Sequence, residues 1–285
     1  MISRLSFGVS FKASCLPVVC AIAVSTHSAQ AALLAYDQFV GYTAGNLGGQ
    51  GQGFGWANNW TGGLVDAGGG LTYGSLPASG GKAQTAVTTS QFTGMSRNLA
   101  SGISSGTVYV GWLAEKGGSD PTQMWLSLNT SANNDRIGAG IWPSSSTQWR
   151  LIRNDSGSFG DLSSGKAITD EAAHFVIKLD LSPGNPDTAR LFVNPASAGD
   201  LTNANADATY TFSGTGIAAD LTTITLSRQN ANTPNGDGQI DQVAFDEIRI
   251  GTEAADMFSV IPEPSSAALI GLSTFLMLRR RRCAP

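Results

Sequence analysis

Side chains that could do chemistry are sparse in the middle of this chain, and their spacing excludes more than it offers. His174 is the one histidine beyond residue 31, and Cys15, Cys20 and Cys283 all lie in the two end segments. A zinc site built from nitrogen and sulfur ligands, or a cysteine-histidine nucleophilic pair, has no means of assembly between them. A Ser-His-Asp site would have to use His174, and no nucleophile-elbow string lies nearby. His174 reads instead as a polar residue at a strand entrance.

Oxygen donors are better placed. Asn235, Asp237 and Asp241 alternate through a Gly-containing stretch, as a calcium loop requires. Read as a twelve-residue loop with Gly238 sixth, its last position falls on Ala244, so the bidentate glutamate is missing. A plain hairpin turn is the preferred reading and calcium the alternative; no other cofactor is expected. The six tryptophans offer different chemistry, because an exposed indole stacks on the apolar C–H face of a sugar while nearby amides bond its hydroxyls. Trp56 and Trp60 lie in a Gly/Asn-rich stretch, and Trp142 and Trp149 flank the segment Pro143 to Gln148. Those four are the glycan-binding candidates, with packing over a sandwich end as the competing reading. Trp112 and Trp125 sit inside apolar runs and read as core.

The elements that must position these residues read as strands. Val108, Val110, Trp112 and Ala114 share one face of a period-two run, as do Phe175, Ile177, Leu179 and Leu181, with Lys178 and Asp180 opposite. Further strands are expected over Met124 to Leu128, Arg136 to Trp142, Trp149 to Arg153, Ala189 to Val193, Leu221 to Ser227 and Val243 to Ile250. Helical pattern is confined to single turns at Asp170 to Ala173 and Glu253 to Met257. Gly, Ser, Thr and Asn fill the intervals, so the spacing predicts an all-β antiparallel sandwich of jelly-roll type rather than alternating strands and helices.

The two ends carry different information. Met1 to Ala31 has basic Arg4 and Lys12, a short apolar core from Leu16 to Val24, and the A-x-A site Ala29-Gln30-Ala31, the features of a cleaved secretory signal. At the other end, Pro262-Glu263-Pro264 precedes an apolar run from Ser265 to Leu278 and then Arg279, Arg280, Arg281 and Arg282. Fourteen helical residues reach about 21 Å against the roughly 30 Å of a bilayer core, so the run is a short membrane helix that the arginines must help to seat. This tail resembles the PEP-CTERM sorting signal of Gram-negative bacteria. The resemblance implies recognition of Pro262, Glu263 and Pro264 by an exosortase, a membrane-embedded protease, with Arg279 to Arg282 retaining the precursor at the inner membrane.

The expected layout is thus a signal peptide over 1–31, one β domain over 32–258 and a sorting segment over 259–285. Of the 17 basic residues, Arg4, Lys12 and Arg279 to Arg282 lie outside the mature region from about Ala32 to Pro264, which leaves 11 there against 21 acidic ones. A net charge near −10 excludes nucleic acid as an expected partner. With no cysteine between the ends, the domain must be stable without disulfides, and at that length a self-sufficient core is within reach.

A second resemblance covers most of the middle. The strings YDQFVGYTAGNLGGQGQGFGWANNW, KLDLSPGNPDTARLFVNP and VAFDEIRIGT look like concanavalin-A-like, laminin-G-like jelly rolls. It implies two large antiparallel sheets, adjacent first and last strands, and a concave face that in relatives binds glycans. Glucanases of that fold carry Glu-x-Asp-x-x-Glu on one strand, whereas Gln239 and Gln242 flank Asp241 here and Ala244 follows. Asp246 and Glu247 are sequence neighbours, which point to opposite faces of a strand and cannot form a retaining pair about 5 Å apart. The expectation is therefore a non-catalytic exported protein of the cell surface or matrix that associates with exopolysaccharide. A carbohydrate-active enzyme, hydrolase or lyase, is the alternative.

Overall fold

The structure is a computed structural model and describes residues 33–74, 76, 80–85, 92–118, 122–130, 135–213, 217, 220–230 and 242–259. Ala29, Ala31, Pro262, Glu263, Pro264 and Arg279 to Arg282 lie outside the described residues, as do the calcium candidates Asn235, Asp237 and Asp241. Among the described residues no helix is long and apolar enough to cross a membrane.

Two antiparallel sheets make up the domain. The larger runs β14 (Ala208–Thr211), β13 (Thr188–Val193), β12 (Ala173–Leu181), β7 (Gly106–Lys116), β16 (Val243–Gly251), β5 (Ala83–Thr85), β4 (Leu64–Asp66) and β2 (Gly45–Asn46), with β1 (Leu33–Asp37) also on β16. The smaller runs β11 (Ser158–Ala167), β10 (Gln148–Asp155), β9 (Arg136–Ile141), β8 (Thr122–Thr130), β15 (Leu221–Asn230), β6 (Phe92–Ile103) and β3 (Thr61–Gly62). The first strand thus pairs with the last, as the second resemblance implied, and the antiparallel β-sandwich expected from the sequence is what forms.

Alternation decides which faces meet. Phe175 lies opposite Trp112, Ile177 opposite Val110 and Leu179 opposite Val108, and all six side chains enter the core. The facing sheet contributes Leu126, Leu128, Ile137, Ala139, Leu151, Ile224 and Leu226. Trp112 stacks on Phe175 with ring centroids 5.1 Å apart, and Trp149 from the other sheet meets Phe175 edge-on at 4.9 Å. Each fully buried side chain of this size stabilises the sandwich by roughly 1.5–3 kcal/mol, so the two large sheets need no cross-link.

A turn of helix does occupy Ala254–Met257, close to the expected one. Asp170 to Ala173 forms none, because Ala173 is already the buried first residue of β12 and pairs with Ala114. The register of β16 slips between Asp246 and Arg249, where Glu247 has φ 52, so the neighbours Asp246 and Glu247 sit in a bulge.

Candidate functional site: a groove over the seven-stranded sheet

The buried and outward faces of the smaller sheet can be read from its register. Across β10, β9, β8 and β15, Arg150, Gly140, Trp125 and Ser227 form one row, and Ile152, Gly138, Ser127 and Thr225 the next. A third row runs Asn154, Arg136, Asn129 and Thr223. All twelve alternate with the core residues of their strands, so they belong to the outward face. Gly138 and Gly140 leave that face without side chains along β9. Strand β8 approaches closely there: a Cβ at Gly138 would lie 2.2 Å from the Leu126 carbonyl oxygen, and one at Gly140 would lie 1.9 Å from that of Met124.

The trough is roofed at one side by aromatic rings. Trp142, which follows β9 and precedes Pro143 through a cis peptide bond, stands edge-on to Trp125 at 5.6 Å and to Phe159 at 4.8 Å. Since Trp125 is on β8 and Phe159 on β11, a ring that touches both lies over the strands between them, β9 and β10, and Gly138 and Gly140 keep the β9 side of that space free of side chains. The resulting groove encloses about 570 Å³ and is lined by those three rings, Ser127, Asn129, Arg136, Thr223, Thr225, Ser227 and Gln229. That volume falls in the range of roughly 300–1,000 Å³ typical of small-ligand sites.

Among the described residues, Arg136 is the one charged residue in this lining. Its guanidinium lies 5.7 Å from the centre of the Phe159 ring, and its buried Nε has no hydrogen-bond partner. Asp161, two residues after Phe159 and therefore on the same side of β11, is gripped by Arg150 in an ion pair. Among the described residues of the seven strands it is the acidic side chain on the outward face.

The sequence candidates divide. Trp142 lines the groove. Trp149 is only 1% exposed and belongs to the core, because β10 turns it inward in phase with Leu151; its assignment as a ligand residue is corrected. Trp60 is 0% exposed and donates its indole N–H to Asp37 at 2.9 Å, so it too is a packing residue. Trp56 is half-buried against the core, donates to the Tyr36 carbonyl at 3.1 Å, and carries the Arg97 guanidinium 5.0 Å from its ring centre. Trp125, expected in the core, instead lines the groove although it is 6% exposed. Its phase gave the signal: it alternates with Met124, Leu126 and Leu128 and shares its side with Ser127 and Asn129. The hydroxyl strip of β15 was legible in the same way, since Thr223, Thr225 and Ser227 oppose Ile224 and Leu226.

The remaining acid candidates are structural. Asp246 accepts the Leu71 and Glu247 amides, each at 2.7 Å, and burial, reinforced by the Glu247 charge, pushes its carboxyl well above the usual range. Glu247 pairs with Arg249 at 2.7 Å and accepts from the Tyr36 hydroxyl at 3.2 Å. Both belong to the larger sheet and neither lines the groove. His174 is buried at the start of β12, between the rings of Tyr73 at 5.7 Å and Phe258 at 5.3 Å. Burial, with the Arg249 charge adding to it, pushes its imidazole down to about 3, so it is neutral near neutrality. No group of three or more His, Cys, Asp and Glu side chains poised for a metal occurs among the described residues.

No protein-family model matches this chain, and no curated protein does. Solved structures do match. An endo-acting O-glycanase structure, from work on members of the human gut microbiota that initiate mucin breakdown, superposes with a TM-score of 0.50 at 10% identity, over 78% of this chain and 100% of that one. The endo-β-1,4-glucuronan lyase of the fungus Trichoderma reesei gives 0.49 at 10% identity over 78% and 96%. A glycosyl hydrolase family 16 protein of Mycobacterium smegmatis gives 0.49 at 8% identity over 77% and 100%. At such identities the likeness is one of fold. It also corrects the expectation of a non-catalytic domain: an endo-acting glycanase shares this architecture along its whole length, so the fold is no ground for excluding an enzyme.

Proposed function

We propose that this protein is an exported carbohydrate-active enzyme that takes a stretch of polysaccharide into the groove over the seven-stranded sheet and cleaves it there. The observation that supports this most is the union, on one face, of an aromatic wall (Trp125, Trp142, Phe159) with a floor of hydroxyl and amide side chains. A pyranose ring has an apolar C–H face and a hydroxyl edge, and a site that holds it must offer both kinds of surface.

Cleavage requires a group that moves a proton, and Asp161, on the same face but outside the groove lining and paired with Arg150, is the carboxylate this face supplies. One carboxylate does not make the pair that a retaining hydrolase uses, so the arrangement favours an elimination, in which the carboxylate takes a ring C–H proton, the bond to the leaving oxygen breaks as the ring double bond forms, and the same proton passes to that oxygen. The test is incubation of the purified protein with a polysaccharide panel, following both reducing ends and the ultraviolet absorbance of unsaturated products. We expect product from at least one chain, and Asp161→Asn to retain binding while losing turnover. Retention on a polysaccharide with no product from any member of the panel would defeat the enzymatic half of the reading; no retention at all would defeat the groove.

Delivery to that substrate rests on the ends of the chain. We infer that the tail is a PEP-CTERM signal, that an exosortase-type protease acts near Pro262-Glu263-Pro264, and that the mature domain works among exopolysaccharide at or beyond the cell surface. Replacing Pro262, Glu263 and Pro264 together by alanine should leave a larger precursor in the inner-membrane fraction. A product of unchanged size and location would count against it.

A further inference from the structure

The geometry points to an acidic glycan as the occupant of this groove, with the Arg136 guanidinium receiving a carboxylate of the sugar; the inference rests on the groove being the glycan site. The domain as a whole is acidic, holding 20 of the chain's 21 Asp and Glu residues, yet among the described residues the groove lining contains no carboxylate and one cation. Arg136 takes part in none of the six ion pairs among the described residues, while Arg150, in the next strand on the same face, is neutralised by Asp161. Leaving an arginine partly buried and without a counter-charge costs free energy in the empty protein. An anionic substituent on the ligand removes that cost.

Position supports the pairing. Arg136 stands beside Asn129 in the register row that ends the Gly138-Gly140 trough, and Phe159 lies under its guanidinium. A sugar stacked on the aromatic wall therefore meets Arg136 at its edge, where a uronate carboxylate projects. The planar fork of a guanidinium matches a carboxylate through two parallel N–H donors, which a hydroxymethyl group at the same position cannot use. Asn129 adds an amide that can bond either group, so the discrimination falls on Arg136.

The probes are uronate hexasaccharides of glucuronate, mannuronate and galacturonate, each beside its carboxyl-reduced, neutral form, with a sulfate-esterified hexasaccharide as a further arm. The purified protein should bind at least one uronate about tenfold more tightly than its neutral form, the size of one charge-assisted hydrogen bond, and added salt should erode that preference alone. Arg136→Gln should abolish the preference, bringing affinity for the acidic chain down to that for the neutral one, while an unchanged urea-unfolding midpoint shows that the variant is folded. Arg136→Lys should restore part of it. Equal binding of the acidic and neutral forms, or a preference that survives in Arg136→Gln, overturns the acidic-glycan inference and leaves the groove standing. Preference for the sulfated chain over every uronate overturns the carboxylate assignment. Binding to none of the probes, or binding unaltered in Trp142→Ala, overturns both the inference and the groove.

Discussion

Trp142 meets Trp125 edge-on, with ring centroids 5.6 Å apart and planes at 89°, and this contact holds an indole over a strand that has given up its own side chains at Gly138 and Gly140. The ring is thereby fixed in place before any ligand arrives, which lowers the ordering cost of binding. Trp142→Ala should weaken glycan binding by about tenfold or more while leaving the unfolding free energy within about 1 kcal/mol of wild type. Isothermal titration and urea unfolding on the same sample check the two halves separately. Equal affinity in the variant would remove the aromatic wall from the site.

Trp149 provides the contrast, because it lies only seven residues further on in the other face of the same sheet. Its edge contact with Phe175 crosses the sandwich. Trp149→Ala should cost about 3–5 kcal/mol in urea unfolding, the usual range for an aromatic lost from a core. Whatever fraction stays folded should bind glycan as wild type does.

The same contrast marks what the sequence made legible. Strands with large apolar residues on one side, such as β12 and β7, were visible because their alternation survives any reading of the turns. Strand β6 was not: its outward positions are Gly94, Ser96 and Asn98, and Arg97 faces inward between Met95 and Leu99, so its period-two signal is broken from both sides. Strand β11, an edge rich in Ser and Gly, was hidden for a similar reason. Trp125 and Trp149 were exchanged because tryptophan was weighed by its surroundings in the chain instead of by its phase with its strand. Arg136 gave no signal of its own, since its significance lies in the counter-charge that is missing in space.

His174 makes stability depend on pH in a definite direction. Burial holds its folded value at about 3, against about 6.5 for an unfolded chain, so between these values the unfolded state takes up a proton that the folded state refuses. Stability is therefore lost as pH falls through that window. Asp37 and Asp246, whose carboxyls burial raises, act in the opposite sense, so the comparison must be made against a variant. His174→Phe keeps the ring between Tyr73 and Phe258 and removes the titration. From about pH 7 to about pH 5 wild type should lose about 2 kcal/mol more than this variant in urea unfolding. Parallel losses would mean that the imidazole is protonated in the folded protein.

Asp37 and Arg97 tie the first strand of one sheet to the other sheet through a 2.7 Å ion pair whose side chains are 1% and 5% exposed. Tyr42 at 2.6 Å and the Trp60 indole at 2.9 Å donate to the same Asp37 oxygen, and Arg97 also holds the carbonyls of Asn58 and Gln52 at 2.7 Å each. The pair thus pins residues 37–60 over the end of the core. Arg97→Met strands a buried carboxylate and should cost about 3–5 kcal/mol. Burial already raises the Asp37 carboxyl, against the hydrogen bonds and the Arg97 charge that lower it. Without the guanidinium it rises further, so the folded variant takes up a proton that the unfolded chain does not. Its deficit relative to wild type should shrink as pH is lowered from about 7 to about 5, and Asp37→Asn combined with Arg97→Met should recover part of the loss at neutral pH. A deficit that stays constant across that range, with no recovery in the double variant, would show that Arg97 acts through its backbone-carbonyl contacts and its stacking on Trp56 rather than through the charge of Asp37.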